Sequence, residues 1–196
     1  MTLAVVTLMI GLVSALEYVL NMNFGIDELF IPDPDTPASQ FPGRMSAGTA
    51  FNFVLIGVGL VMLYRPKWRL YSPYPALIAN ALATIALLGY FYDVNALYDI
   101  ALFSSMALNT SVAFLLVGSA LLFATPDNII VRVLTASTVG GTSARRVIPF
   151  AILIPVMLGW LTIEGEELGI LTGFVGQSIL STGIVLLLVC VVWWNA

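Results

Sequence analysis

Glu17 is the acidic residue that lies deepest in an apolar part of the sequence, near the end of the stretch from Leu3 to Leu20. An ionisable side chain inside a membrane helix is costly and often functional, as a ligand contact or a proton-binding group. A structural role is the alternative, because Glu17 lies about one helical turn from the end of the stretch, where it can reach the interface or cap the helix. The sequence leaves both roles open.

Four further polar side chains lie in apolar stretches. Asn52 and Asn80 carry amides that need a partner on a neighbouring helix when they are surrounded by hydrocarbon. Asn52 is therefore a candidate ligand contact or a hydrogen bond between helices. Thr49 and Thr110 occupy equivalent positions in two related segments. Threonine in such helices usually bonds to a carbonyl of its own helix, which is the alternative to ligand binding.

Three aromatic residues, Tyr18, Tyr90 and Trp160, each stand at the end of an apolar stretch. Aromatic rings prefer the membrane–water interface, so an interfacial belt is the simple interpretation, and stacking in a pocket is the alternative. The complete set of candidate ligand-binding residues is Glu17, Tyr18, Thr49, Asn52, Tyr90, Thr110 and Trp160.

Several chemistries are excluded or disfavoured by composition. The chain has no histidine and one cysteine, Cys190, so histidine-based acid–base catalysis, histidine-ligated haem and an internal disulfide are excluded. We find no phosphate-binding loop, nucleophile elbow, metal-ligand spacing or carboxylate pair within the apolar stretches. We therefore expect no catalytic residue, no metal site and no enzymatic activity of this chain. The sequence does not indicate whether the protein binds a cofactor.

The elements that would position these residues are membrane helices. Of the 196 residues, 60% are hydrophobic and only 9% charged, against about 25% charged in soluble domains. We predict an all-α integral membrane protein forming one transmembrane domain over residues 1–196. A helix that crosses the membrane needs about 17–25 apolar residues. The six predicted spans are Leu3–Leu20, Ser46–Tyr64, Ala76–Tyr92, Met106–Ala124, Val147–Thr162 and Ser178–Trp194.

The connections are predicted in less detail. The segment 129–134 is too short to span and is expected to lie in the interface, and residues 139–144 are expected to form a flexible link. Pro149 and Pro155 are expected to kink the fifth span. Short amphipathic helices are expected at residues 24–31 and 94–101.

Charge distribution predicts the topology. The connections at residues 65–75 and 125–146 hold Arg65, Lys67, Arg69, Arg132, Arg145 and Arg146 against one acid, Asp127. The other connections hold ten acids and Arg44. The positive-inside rule then places both termini in the cytoplasm. The six basic residues suit lipid headgroups, and no nucleic-acid partner is expected.

An internal repeat is visible. Residues 45–57 align with residues 106–118 at a constant offset of 61, with five of thirteen positions identical. The small residues Gly57 and Gly118 in these segments favour close helix contact. The chain therefore reads as three helical hairpins, at residues 1–64, 76–124 and 147–196, of which the third is the weaker copy.

The repeated segments resemble the multi-span membrane input region of bacterial sensor histidine kinases and diguanylate cyclases, whose hairpins carry the pattern Met-x-x-x-Thr-Ala-x-x-Phe-x-x-x-Gly. This chain matches it at Met45, Thr49, Phe53 and Gly57, and at Met106, Thr110, Phe114 and Gly118, with Ser111 in place of the alanine. The resemblance implies a multi-pass protein of the bacterial inner membrane that acts in two-component signalling. A further hairpin often begins such regions and is absent here, and a kinase or cyclase module would follow residue 196.

Two functions follow as expectations. The first is a sensory input domain that responds to a small lipophilic ligand, or another outer-face or intramembrane signal. It would relay that signal by a shift of its last helix against a homodimer mate. The alternative is a non-catalytic accessory subunit of a larger membrane complex, whose partners are membrane lipid and other subunits. A transporter is a weaker third option, because few polar residues lie within the spans.

Overall fold

A computed structural model describes residues 1–22, 24–25, 43–92 and 106–195, which are helical and contain no strand. The all-α class is confirmed. The helices are α1 (Thr2–Leu20), α2 (Ala47–Tyr64), α3 (Pro73–Tyr92), α4 (Leu108–Phe123), α5 (Ile129–Thr135), α6 (Val139–Glu167) and α7 (Gly173–Asn195), with a 3₁₀ turn at Arg69–Tyr71. The amphipathic helices expected at residues 24–31 and 94–101 fall almost entirely outside the described residues.

Four helical segments are long and apolar enough to cross a membrane: Thr2–Leu20, Ala47–Tyr64, Arg69–Phe91 and Val139–Glu167. They coincide, to within one residue or with longer ends, with the first, second, third and fifth predicted spans. The fourth falls on α4, which has 16 residues and is therefore about 24 Å long, shorter than the hydrocarbon core of about 30 Å. The sixth falls on α7, described as a shorter apolar helix over Gly173–Leu187. Six spans, the three-hairpin repeat and the cytoplasmic termini stay predictions.

The link predicted at residues 139–144 is wrong, because these residues form the first turns of α6. Thr138 caps this helix, with its hydroxyl oxygen accepting from the N–H of Gly141 at 3.3 Å. The helix then continues for 29 residues through Pro149 and Pro155. The segment predicted to be too short to span forms the seven-residue helix α5, and its position in the interface stays a prediction.

The chain divides into two compact units, residues 1–128 and 129–196. In the first unit, α1 and α2 are antiparallel and in backbone contact. A Cβ added at Gly57 would lie 2.5 Å from the Cα of Leu8, and one added at Gly11 would lie 2.6 Å from the backbone N of Val54. Only glycine allows this approach, so the predicted packing role of Gly57 is confirmed.

Helices α2, α3 and α4 share the core of the first unit. Alanines at every third or fourth position give α3 a narrow buried face: Ala76, Ala79, Ala83 and Ala86. Phe114 of α4 packs edge-on against Phe53 of α2, with ring centroids 5.2 Å apart. Gly118 lies against the Asn80 side chain, so it too packs between helices. The large side chains of α2 and α4 therefore fill the space that the small alanine side chains of α3 leave.

The second unit consists of α5 and the α6–α7 hairpin. Gly169, with φ of 70°, lies in the turn between α6 and α7 and adopts the left-handed conformation that glycine favours. Farther from the turn, a Cβ at Gly183 of α7 would lie 2.5 Å from Leu158 Cδ1 of α6. Arg145 of α6 donates from Nη1 to the carbonyl of Leu134 at 2.7 Å and that of Ala136 at 2.9 Å. Its charge thus stabilises the carboxyl end of α5.

Candidate functional site

Glu17 is fully buried in the last turn of α1. The backbone N–H of Phe24 donates to its Oε1 at 2.7 Å, so the chain that leaves α1 turns back over the carboxylate. The Nε of Arg44 lies 3.8 Å from Oε2, which makes an ion pair between two side chains that are 0% and 4% exposed. The carboxylate thus joins the end of α1 to the segment that leads into α2.

Arg44 and Tyr18 complete this arrangement, which we call the Glu17–Arg44 cluster (Glu17, Tyr18 and Arg44). The guanidinium carbon of Arg44 lies 5.1 Å from the centroid of the Tyr18 ring, and Nη2 donates to the Met22 carbonyl at 2.7 Å. The Tyr18 hydroxyl donates to the carbonyl of Met45 at 2.7 Å. Each member therefore bonds across the gap between the two helices.

The sequence reasoning missed Arg44 as a site residue. Its signal was present: Arg44 is the single basic residue in connections that hold ten acids, and it lies just before α2. What the sequence does not specify is which of those acids it pairs with. The partner is Glu17, 27 residues earlier, and the contact exists because α1 and α2 pack antiparallel.

Thr49 and Asn52 lie on neighbouring turns of α2 and are both buried. Ser46 caps the helix, and its Oγ accepts from the N–H of Thr49 at 3.2 Å and lies 2.8 Å from Thr49 Oγ1. The Thr49 hydroxyl thus pairs with a capping side chain, where a bond to its own helix was predicted. This arrangement explains Thr49 without a ligand.

Asn52 is fully buried, and its Nδ2 lies 4.0 Å from the Sδ of Met106, just before α4. A thioether is a weak acceptor. The Oδ1 of Asn52 has no hydrogen-bond partner in the described part of the chain. Asn80 of α3 makes a contact between helices, with Nδ2 at 3.4 Å from Ser119 Oγ of α4. The hydrogen bond between helices expected for these amides is therefore present at Asn80, whereas Asn52 contacts a residue just outside a helix.

The remaining candidates lie on other elements. Thr110 is half-buried in the first turn of α4, Tyr90 is 39% exposed near the end of α3, and Trp160 is 41% exposed on α6. The structure therefore brings Glu17 and Tyr18 together with Arg44, and places Thr49 and Asn52 one turn apart. Across the described residues, no group of three or more histidine, cysteine or acidic side chains is arranged to hold a metal ion.

A second feature belongs to the second unit. An open apolar groove of about 550 Å³ runs along α7 beside Leu158 of α6. Phe174, Ile179 and Leu186 supply apolar surface, and Ser178 and Thr182 supply two hydroxyl groups. The apolar stretch of α6 has no residue buried within the structure, so this hairpin presents apolar faces on several sides.

No protein-family model matches the chain, and comparisons with curated proteins and with solved structures find no match. Over its described residues the chain is helical, with four helical segments long and apolar enough to span a membrane and a buried ion pair at one end of the first helix.

Proposed function

We propose that the protein is a membrane-embedded sensory input domain in which the Glu17–Arg44 cluster responds to an outer-face or intramembrane signal. The observation that carries the proposal is the full burial of Glu17, an ionisable side chain within an apolar helix, opposite a single guanidinium. Such groups are functional more often than ordinary buried residues. The domain would act without a catalytic group of its own and pass the signal to a cytoplasmic kinase or cyclase module.

The Glu17–Arg44 cluster could switch between two arrangements, one with the ion pair closed and one with it open. A buried ion pair is held together because a charge that stays buried without its partner is uncompensated, and removing one partner from such a pair costs about 3–5 kcal/mol. A small ligand that competes for either member would shift the equilibrium between closed and open arrangements by its difference in affinity for the two. Because the cluster joins the end of α1 to the start of α2, such a shift would move these helix ends.

The test is a chimera in which residues 1–196 precede a histidine kinase core, with autophosphorylation measured in membrane vesicles. Replacing either member of the pair, by Glu17→Gln or Arg44→Gln, is expected to lock the output at a fixed level, at least fivefold away from that of the parent. Glu167→Gln is the matched control, since Glu167 is exposed at the end of α6. Parental output from both cluster variants, in chimeras of equal abundance, would remove this proposal.

The second candidate is a non-catalytic accessory subunit of a larger membrane complex. The specific observation in its favour is the α6–α7 hairpin, with its apolar faces and its groove of about 550 Å³. The two candidates differ in what the purified chain should do. An input domain is expected to be a homodimer by sedimentation in detergent, whereas an accessory subunit is expected to stay monomeric until its partner is co-expressed.

A further inference from the structure

A second apolar groove, of about 250 Å³, lies in the first unit between α1 and α2. Leu8 supplies one wall, and Val58, Val61 and Met62 supply the other. Arg65 and Trp68, which follow the end of α2, also line it. Positions 58, 61, 62 and 65 have the spacing of one helix face. The apolar side chains on this face of α2 are therefore followed by the guanidinium of Arg65 at its end.

The end of this groove near Arg65 has side chains typical of the membrane–water interface, where lipid headgroups lie. Trp68 is half-exposed, and the aromatic row continues with Tyr71 and Tyr74, whose neighbouring ring centroids are 6.2 and 6.3 Å apart. Exposed aromatic rings of this kind favour the membrane–water interface. The Lys67 ammonium lies 6.0 Å from the Trp68 ring centroid, which adds a second cation at the same level.

The guanidinium of Arg65 is available to a ligand. Over residues 1–22, 24–25, 43–92 and 106–195, it takes part in no ion pair and no side-chain hydrogen bond. A guanidinium binds phosphate oxygens with two parallel donors. From Arg65 back to Val58 the helix rises about 10 Å, which gives the apolar part of the groove its length.

We propose that this groove binds the headgroup-proximal part of one acyl chain of an anionic phospholipid, whose phosphate is held by Arg65. The groove volume of about 250 Å³ is below the range of about 300–1,000 Å³ typical of pockets for compact small molecules. It is sufficient for the first part of a narrow flexible chain, whose remainder would lie in the bilayer. The cations at its end complement an anionic headgroup, as in other basic pockets beside membrane helices. This inference does not depend on the proposed sensory role, because it uses none of the residues of the Glu17–Arg44 cluster.

The test is native mass spectrometry of the full chain in detergent, titrated with dioleoyl phosphatidylglycerol or with dioleoyl phosphatidylcholine. We expect one phosphatidylglycerol to be retained at concentrations at which phosphatidylcholine is lost. Arg65→Gln is expected to weaken phosphatidylglycerol binding at least about tenfold, because the charge-assisted hydrogen bonds to the phosphate are lost. Arg65→Lys, which keeps the charge but cannot donate two parallel hydrogen bonds, is expected to bind more weakly than the parent and more tightly than Arg65→Gln.

Two further variants distinguish a specific lipid site from general electrostatic attraction between anionic lipid and the basic residues. Arg69→Gln removes the same charge four residues away, outside the groove lining, and is expected to change affinity less than twofold. Val61→Trp keeps every charge but fills the groove, and is expected to prevent retention. Equal binding of the two lipids, equal losses in Arg65→Gln and Arg69→Gln, or unchanged retention in Val61→Trp would each overturn the proposal. Circular dichroism of every variant confirms that its helices are intact.

Discussion

At the scale of single residues, the ion pair between Glu17 and Arg44 decides how the end of α1 is held. Both side chains are withdrawn from solvent, and each also bonds to the backbone of the connecting segment. Removing one charge leaves the other buried without compensation, whereas removing both leaves two neutral polar groups. The pair therefore predicts non-additive effects of substitution.

Arg44→Gln is expected to lower the free energy of unfolding by about 3–5 kcal/mol, because Glu17 stays buried without its cationic partner. The double variant Glu17→Gln/Arg44→Gln is expected to cost less than the sum of the two single variants. Denaturant unfolding in detergent micelles, followed by circular dichroism, measures both quantities. Arg146→Gln, at an exposed position, should change stability by less than about 0.5 kcal/mol. Strict additivity would mean that the two side chains act independently.

At the scale of elements, glycine sets the distance between α1 and α2. Gly57→Ala would place a methyl group against the backbone of Leu8, which cannot rotate away, so a loss of about 1–3 kcal/mol is expected. Gly140→Ala is the control, since a Cβ there meets open space and alanine favours a helix by up to about 1 kcal/mol. Thermal unfolding of the two variants should therefore shift in opposite directions. A Gly57→Ala variant as stable as the parent would contradict the close contact.

A second element depends on a side chain from its neighbour. Arg145→Ala removes two hydrogen bonds to the carboxyl end of α5, at an exposed position, and is expected to cost about 1 kcal/mol. The seven residues of α5 are too few to form a stable helix alone. Hydrogen exchange of residues 129–136 should therefore speed up in this variant and stay unchanged in Arg146→Ala. Equal exchange in the two variants would show that α5 is held by other contacts.

The sequence predicts elements better than it predicts their contacts. The first three helices begin and end within three residues of the predicted spans, because apolar length is a local property. Residues 139–144 were predicted as a link from their glycines, but Gly141 lies close against the carbonyl oxygen of Ala136, where a larger residue would not fit. Tertiary packing thus overrides low helix propensity at this position. Glu17 and Tyr18 were found as candidates for the same local reason, whereas their pairing with Arg44 needed the fold.

At the scale of the whole molecule, the number of membrane crossings depends on α4. Segments α1, α2, Arg69–Phe91 and α6 are long enough, and α4 is short of the hydrocarbon thickness by about 6 Å. A short helix can still cross if the bilayer thins around it. Whether α4 crosses decides on which side the far end of α6 emerges.

Cysteine labelling in a Cys190→Ser background determines the answer. With six spans and a cytoplasmic N-terminus, Met22→Cys and Glu167→Cys are expected to react with a membrane-impermeant maleimide in intact cells, and Lys67→Cys only in inverted vesicles. If α4 does not cross, the number of spans before Glu167 falls from five to four, and this position moves to the inner side while the other two keep their sides. Labelling of Met22→Cys and Lys67→Cys thus tests the orientation, because the three cations of the connection before α3, Arg65, Lys67 and Arg69, predict it independently of α4. Labelling of Glu167→Cys tests α4 alone, and reactivity of Lys67→Cys in intact cells would contradict the predicted orientation altogether.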